Sequence, residues 1–145
     1  MTSPESLRAI RSWYRLQRAT ASYGAHLRAR FGASGEQLAL LRIIAERAHW
    51  PLSELRGRLT MHPATLGQAV DRLARRGDVA VSPDPADRRR RVVAVTEQGR
   101  ALIASLPDAG PVRLRTREFD PERLERLADA FDDAIELFGL EEWAP

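Results

Sequence analysis

Four consecutive arginines, at positions 88–91, form the densest run of like charge in the sequence. Side by side, four positive charges repel one another unless an anion lies close to them. Guanidinium groups bind phosphate oxygens through several N–H donors, and an arginine can also enter a narrow minor groove of DNA. Asp84 and Asp87 precede the run and can orient one or two of its arginines. The run therefore predicts contact with phosphates, with a solvated charged turn as the alternative.

A second polar group lies upstream, between Pro63 and Gly77, where apolar residues recur at helical spacing. The apolar stripe of this helix is Leu66, Ala69, Val70 and Leu73, and the opposite face carries Ala64, Thr65, Gly67, Gln68, Asp71, Arg72 and Arg75. Small side chains near the N-terminal end suit insertion into the major groove of DNA, which is roughly 12 Å wide. An ordinary exposed helix face is the alternative.

Each residue of this face has an expected contact. Gln68 can pair with adenine, Thr65 can reach a base edge or a phosphate, and Ala64 can meet a thymine methyl group. Arg72 and Arg75 lie further along the helix, where phosphates are the expected partners. Gly67 costs on the order of 1 kcal/mol relative to alanine inside a helix, and close approach of the backbone to the duplex would explain it.

Periodicity and capping residues predict the elements that position these two groups. Ser3 and Pro4 start a proline-free helix that continues to about Phe31, and Ser34 with Gln37 forms a capping box for a second helix. A short third helix follows Pro51, and valine-rich runs at 79–81 and 92–95 predict a hairpin tipped by the arginines. Two further helices start near residues 97 and 121. This order predicts a mainly α fold with a small β-hairpin wing, the winged helix-turn-helix.

The long first helix carries two apolar stripes. Trp13, Leu16, Thr20, Tyr23 and Leu27 form one, and Leu7, Ile10 and Tyr14 form the other. A helix with two apolar surfaces can pack one on its own core and the other on a partner. We therefore expect this helix to take part in dimerisation.

Charge and composition narrow the function classes. Residues 1–100 carry 18 arginines and nine acidic residues, whereas residues 101–145 carry five arginines and 11 acidic residues. The chain has no cysteine, which excludes disulfides and thiolate chemistry. Its three histidines form no trusted metal-ligand spacing, and no phosphate loop or nucleophile elbow is present. We predict a cytoplasmic protein that is not an enzyme, without a membrane span, catalytic residue, metal or cofactor.

The segment from Leu52 to Gly99 closely resembles the MarR (multiple antibiotic resistance regulator) family. The specific matches are the D-R-L-x-x-R-G end of the fourth helix, the D-P-x-D-R-R wing and the V-T-x-x-G that follows the second strand. The resemblance implies a homodimer that binds a pseudo-palindromic operator, a repressor role, and release by a small aromatic or phenolic effector. It also implies that Asp87 positions Arg89, the arginine that enters the minor groove, and that Arg88 and Arg90 lie beside it on phosphates or base edges.

The chain departs from the family pattern at two places. The turn before the recognition helix offers His62 where a Ser, Thr or Asp cap is usual, so His62 is either a weak cap or phosphate contact or an exposed turn histidine. Gly67 occupies a position where Ser or Thr is more common in the family, and Gln68 one where Arg is more common. The operator sequence therefore cannot be inferred from those of relatives. For an effector, the family pocket implies Trp13, Tyr14, Tyr23, His26 and Trp50, although aromatics at helical spacing are often core residues.

We therefore predict one chain, residues 1–145, with a DNA-binding lobe at 35–100 and dimerisation helices at 1–31 and 101–145. Its predicted function is sequence-specific regulation of transcription by a homodimer, with the fourth helix in the major groove and the wing in the minor groove. The alternative is a winged-helix module for protein–protein assembly that has no operator specificity. That module would need an apolar patch on the recognition face, which Thr65, Gln68, Asp71 and Arg72 do not provide.

Overall fold

The computed structural model of the chain describes residues 1–59 and 63–145. The described elements are α1 (Pro4–Phe31), α2 (Gly35–Ile44), β1 (Trp50–Pro51), α3 (Leu52–Arg58), α4 (Pro63–Arg76), β2 (Val79–Pro83), β3 (Arg91–Val95), α5 (Glu97–Ser105), α6 (Arg113–Thr116), α7 (Pro121–Leu137) and a 3-10 turn (Glu141–Trp143). They form two compact units, Met1–Pro107 and Asp108–Pro145. The mainly helical fold with a small hairpin is confirmed. Among the described residues, no helix has both the length and the hydropathy that crossing a membrane requires.

Helix α1 begins and ends where its sequence predicts. The Ser3 hydroxyl accepts the N–H of Ser6 at 3.1 Å, and proline occupies the first turn, where its missing N–H costs nothing. At the other end Gly32 adopts the left-handed conformation, with φ of 69°, and donates its N–H to the Arg28 carbonyl. This turn sends the chain directly into α2.

The two apolar stripes of α1 are largely exposed. Leu27 is buried against Ala33 and Leu38, with Tyr23 partly buried beside them, so the first stripe packs only at the C-terminal end of the helix. The exposed large apolar residues of α1 are Leu7, Ile10, Trp13, Tyr14 and Leu16. The expectation that one stripe faces the chain's own core is therefore correct for the last turns of α1 and wrong for the first.

The main core lies between α2, α3, α4 and the sheet. Helix α2 begins at the predicted capping box, in which Ser34 and Gln37 each accept the other's backbone N–H. The core residues are Leu40, Leu41, Ile44, Trp50, Leu55, Leu66, Val70, Leu73, Val79, Val93 and Val95. The predicted apolar stripe of α4 is thus the stripe that packs inward. Because this stripe packs on the core, the residues on the opposite side of α4 face solvent.

The sheet has three antiparallel strands in the order β1–β3–β2. The predicted hairpin is confirmed, with Val79 opposite Val95 and Val81 opposite Val93. Strand β1, which the sequence did not predict, pairs Trp50 with Val93. Two residues, one of them proline, are too few to show the alternation that identifies a strand.

Gly99 explains why the hairpin and α5 can meet so closely. A Cβ atom at this position would fall against the Asp78 carbonyl oxygen, well inside van der Waals contact. Thr96 caps α5 by accepting the Gly99 N–H at 3.0 Å, and its own hydroxyl donates to the Gly77 carbonyl at 2.6 Å. The V-T-x-x-G pattern is therefore the joint between the end of β3, α5 and the turn after α4.

The second unit contains α6 and α7. Helix α6, a single turn that was not predicted, follows Asp108, whose carboxylate accepts from the guanidinium groups of Arg113 and Arg117. Helix α7 has no buried residue, and its apolar residues Leu127, Phe131 and Leu137 are exposed. The assignment of residues 1–31 and 101–145 to dimerisation stays a prediction.

Candidate nucleic-acid interface

Helix α4 presents the predicted polar face to solvent. Leu66, Val70 and Leu73 are 1%, 2% and 0% exposed, which anchors one side of the helix in the core. The predicted contact residues of the opposite side are all exposed, namely Ala64, Thr65, Gly67, Gln68, Arg72 and Arg75. Asp71 is exposed among them. The predicted His62 lies outside the described residues.

The two arginines of this face are available to an anion. Neither Arg72 nor Arg75 forms an ion pair with a residue that the structure describes. They lie four and seven residues after Gln68, that is about one and two helical turns further along α4. The helix therefore carries an amide and a hydroxyl at one end of its exposed face and positive charge at the other.

Gly67 occupies an open position within this face. Beyond the helix's own nearby backbone, a Cβ atom added there would meet no heavy atom of the described residues within 4 Å, and the backbone is helical rather than left-handed. Neither packing nor backbone conformation requires glycine, which costs on the order of 1 kcal/mol relative to alanine at a helix interior. The fold alone therefore gives no reason for glycine at this position.

A network that the sequence analysis missed holds the C-terminal end of α4. The Arg76 guanidinium donates to the carbonyl oxygens of Phe31 and Gly32 at 2.8 and 2.9 Å, at the end of α1. It also pairs at 2.9 Å with the carboxylate of Asp78, whose side chain is 1% exposed. Gln98 donates to the same carboxylate at 3.1 Å and to the Arg76 carbonyl at 2.7 Å. The network thus joins the end of α1, the end of α4, the turn that precedes β2, and α5.

The wing, defined here as residues 79–95, holds its arginine tip through its own backbone. The Asp84 N–H donates to the Arg90 carbonyl at 2.8 Å, and the Arg90 N–H donates to the Asp87 carbonyl at 2.9 Å. The Asp84 carboxylate also accepts the Ala86 N–H at 2.9 Å. These bonds close the tip into a defined turn, so its conformation does not depend on the arginine side chains.

Asp87 lies between the arginines that the resemblance singled out. Its carboxylate accepts the backbone N–H of Arg89 at 3.1 Å and the Nε of the same residue at 3.3 Å. The other oxygen is 3.7 Å from Nε of Arg90. The Arg89 side chain is nevertheless 93% exposed and that of Arg90 66% exposed. The guanidinium of Arg89 is therefore oriented by Asp87 while most of its surface remains open to another anion.

The five aromatic residues predicted for an effector site are not brought together. Trp50 is 2% exposed in the main core, where its indole N–H donates to the Ile43 carbonyl at 3.2 Å and Arg47 stacks on its ring at 3.7 Å. The others all lie on α1, where Tyr23 is half-buried and His26 is exposed. The rings of Trp13 and Tyr14 are exposed, and their centroids are 4.8 Å apart. Their role in binding an effector stays a prediction. Within the described residues, no group of three or more acidic or histidine side chains could hold a metal ion.

Comparison with known proteins agrees with this geometry. Residues 34–90, from α2 to the tip of the wing, match the model of the MarR family. A 66-residue segment is 41% identical to the HTH-type transcriptional repressor NicR of Pseudomonas putida and covers 44% of this chain and 42% of that protein.

Two solved structures share the fold over most of the chain. A probable transcriptional regulator from Pseudomonas aeruginosa is 28% identical and superposes with a TM-score of 0.60, covering 84% of this chain and 95% of its own. BpsR of Bordetella bronchiseptica, whose DNA binding is regulated by 6-hydroxynicotinic acid, is 25% identical, with a TM-score of 0.59 and coverage of 83% and 90%. Residues 34–90 thus match the MarR family, and the chain shares its winged-helix fold with these transcriptional regulators over most of its length.

Proposed function

We propose that this protein is a transcriptional repressor that binds duplex DNA as a homodimer, with α4 in the major groove and the wing in the minor groove. The observation that carries the proposal is the pairing of two exposed surfaces in one compact unit. Helix α4, with its exposed polar face, is followed after Gly77 and Asp78 by the wing, whose arginine tip is closed by backbone hydrogen bonds but open to solvent. An α-helix fits the major groove, and an arginine is attracted by the potential of a narrow minor groove.

The contacts divide by what they can recognise. Thr65 and Gln68, near the start of α4, are placed to read base edges, and Arg72 and Arg75 are placed to hold phosphates. Arg89 is the arginine that enters the minor groove, oriented by Asp87, while Arg88 and Arg90 neutralise the flanking phosphates. NicR, which is 41% identical to this chain over 66 residues, is itself a repressor, which supports the same role here.

The exposed apolar residues of the terminal helices support a homodimer. On α7, Leu124, Leu127, Phe131, Ile135 and Phe138 recur at helical spacing along one side, and Glu122, Glu125, Asp129, Asp132 and Glu136 recur along the opposite side. A monomer that left this apolar side and the aromatic residues of α1 in water would forgo the free energy of burying them. A second copy of the chain is the partner that the family resemblance implies.

An effector completes the proposal. We infer that a small aromatic compound, of the phenolic or hydroxylated heterocyclic kind, binds near the dimerising helices and weakens DNA binding. BpsR, one of the similar structures, is regulated by such a compound. The absence of cysteine leaves ligand binding rather than thiol oxidation as the regulatory signal.

Selection of duplexes from a random pool by the purified full-length protein tests the proposal. We expect the enriched sequences to be pseudo-palindromic, with half-sites about one helical turn apart. The affinity for the selected duplex should fall steeply with salt, since bound phosphates release counterions. Enrichment of no sequence would contradict the proposal and favour the protein–protein assembly module. Repeating the selection with phenolic compounds and hydroxylated pyridines identifies an effector as a compound that lowers recovery.

A further inference from the structure

The composition of the exposed face of α4 sets how close the helix must come to the bases. Its outward residues in the first two turns are Ala64, Thr65, Gly67 and Gln68. Three of them have small side chains or none, and Gln68 ends in an amide. Arginine, the longest side chain of this face, begins only at position 72. A glutamine reaches less far than the arginine that usually contacts guanine, so its two hydrogen bonds to adenine need the helix backbone nearer to the base edge.

Gly67 is the residue that permits this close approach. It immediately precedes Gln68, and none of the residues that the structure describes would stop a side chain there. In a groove about as wide as the helix itself, a Cβ atom at this position would meet the DNA before it met the protein.

We propose that Gly67 is a specificity-determining residue, a spacer that lets α4 sit deep enough in the major groove for Gln68 to read an A·T base pair. The inference rests on the proposed DNA-binding function and adds to it the class of base pair that α4 recognises. In this role Gly67 contributes to binding because it has no side chain, and not through a contact of its own with a base.

The spacer role makes an unusual prediction about Gly67→Ala, because stability and affinity should change in opposite directions. Alanine is the better helix former, and it meets no neighbour in the free protein, so we expect the melting temperature to rise by about 3 °C. The added methyl group holds the helix away from the bases, so we expect the dissociation constant for the selected duplex to rise roughly tenfold.

Gly57 in α3 offers a matched control. It is also a helical, exposed glycine whose added Cβ would meet nothing within 4 Å, and it lies outside the contact residues of α4 and the wing. Gly57→Ala should raise the melting temperature like Gly67→Ala but change the dissociation constant by less than about twofold.

The experiment measures fluorescence anisotropy of the selected duplex, at one fixed salt concentration, with wild type, Gly67→Ala, Gln68→Ala and the double variant. The duplex is tested with each base pair of a half-site replaced in turn. We expect wild type to prefer A·T over G·C by roughly tenfold at one position, and both single variants to lose this preference. The double variant should lose no more than either single variant, because both substitutions remove the same contact.

Three results would overturn the inference. Gly67→Ala could bind as tightly as wild type, it could keep the full A·T preference, or its loss of affinity could simply add to that of Gln68→Ala. Failure of the proposed function itself gives a different result, since wild type would then show no base preference at any position.

Discussion

At the scale of single residues, the wing combines two requirements that usually conflict. For the role proposed for it, Arg89 must be ordered to enter a groove, yet its guanidinium must remain free to bind. Asp87 meets the first requirement by accepting both the backbone N–H and Nε of Arg89, and the 93% exposure of the Arg89 side chain meets the second. Because the pair is exposed, we expect it to add little to folding stability, in the range of roughly 0–1 kcal/mol. In the proposed function, the pair restricts the arginine before DNA binds.

Replacing Arg89 tests this role. Arg89→Ala should raise the dissociation constant for the selected duplex roughly tenfold and lower the slope of its logarithmic salt dependence by about 1. The fold and the dimer should remain intact, because the tip of the wing is closed by backbone hydrogen bonds.

Arg100→Ala is the control for net charge, since Arg100 is an exposed arginine of α5 outside the proposed interface. Titrations by fluorescence anisotropy at several salt concentrations compare the two variants. An equal loss of affinity in both would mean that Arg89 contributes only to the overall charge.

At the scale of elements, the Arg76 network fixes α4 to its surroundings. Arg76 is the last residue of α4, and it bonds to the end of α1 and to the buried Asp78 that leads into the wing. A movement of α1 would therefore act on the base of α4 and of the wing together. This joint is the physical link between the helix proposed to dimerise and the surface proposed to bind DNA.

Removing Arg76 should destabilise the fold strongly, because it leaves a buried carboxylate without its positive partner. We expect Arg76→Ala to lower the free energy of unfolding by about 3 kcal/mol in urea denaturation. Adding Asp78→Ala to Arg76→Ala removes the unpaired carboxylate. This double variant should therefore be no less stable than Arg76→Ala alone. If the double variant loses as much free energy of unfolding as the two single variants together, the ion pair does not couple the two residues.

The sequence predicts those elements whose periodicity or capping is strong. The stripe of Leu66, Val70 and Leu73 orients α4 correctly, and the change to a period of two identifies the hairpin. The Arg76–Asp78 pair could not be predicted, because burial of Asp78 depends on α5 and α1 arriving from distant parts of the sequence. Strand β1 is too short for any periodicity. Aromatic residues at helical spacing likewise do not reveal which of them lie in the core, as Trp50 does.

At the scale of the whole molecule, much of the apolar surface lies outside the core. Phe131 is 49% exposed on α7, and Trp13 and Tyr14 are 36% and 51% exposed on α1. Groups of exposed apolar side chains usually mark a surface that another molecule covers. The proposed dimer would cover these exposed side chains.

Phe131→Glu tests the dimer directly. A carboxylate buried in an apolar interface without a partner is costly, so the dissociation constant of the dimer should rise at least roughly a hundredfold. Analytical ultracentrifugation measures it, and DNA affinity should fall in parallel because only one half-site can then be held at a time. Asp129→Lys, on the opposite face of α7, should leave the dimer intact. A wild-type chain that is monomeric at micromolar concentration would refute the dimer.

The most direct test of simultaneous binding in both grooves is an interference scan of the selected duplex. Uracil in place of thymine and methylation of guanine N7 perturb the major groove, whereas methylation of adenine N3 perturbs the minor groove. We predict two patches of major-groove interference about 10 base pairs apart, each flanked by minor-groove interference that disappears with Arg89→Ala. Interference confined to one groove, or to a single patch, would contradict the account.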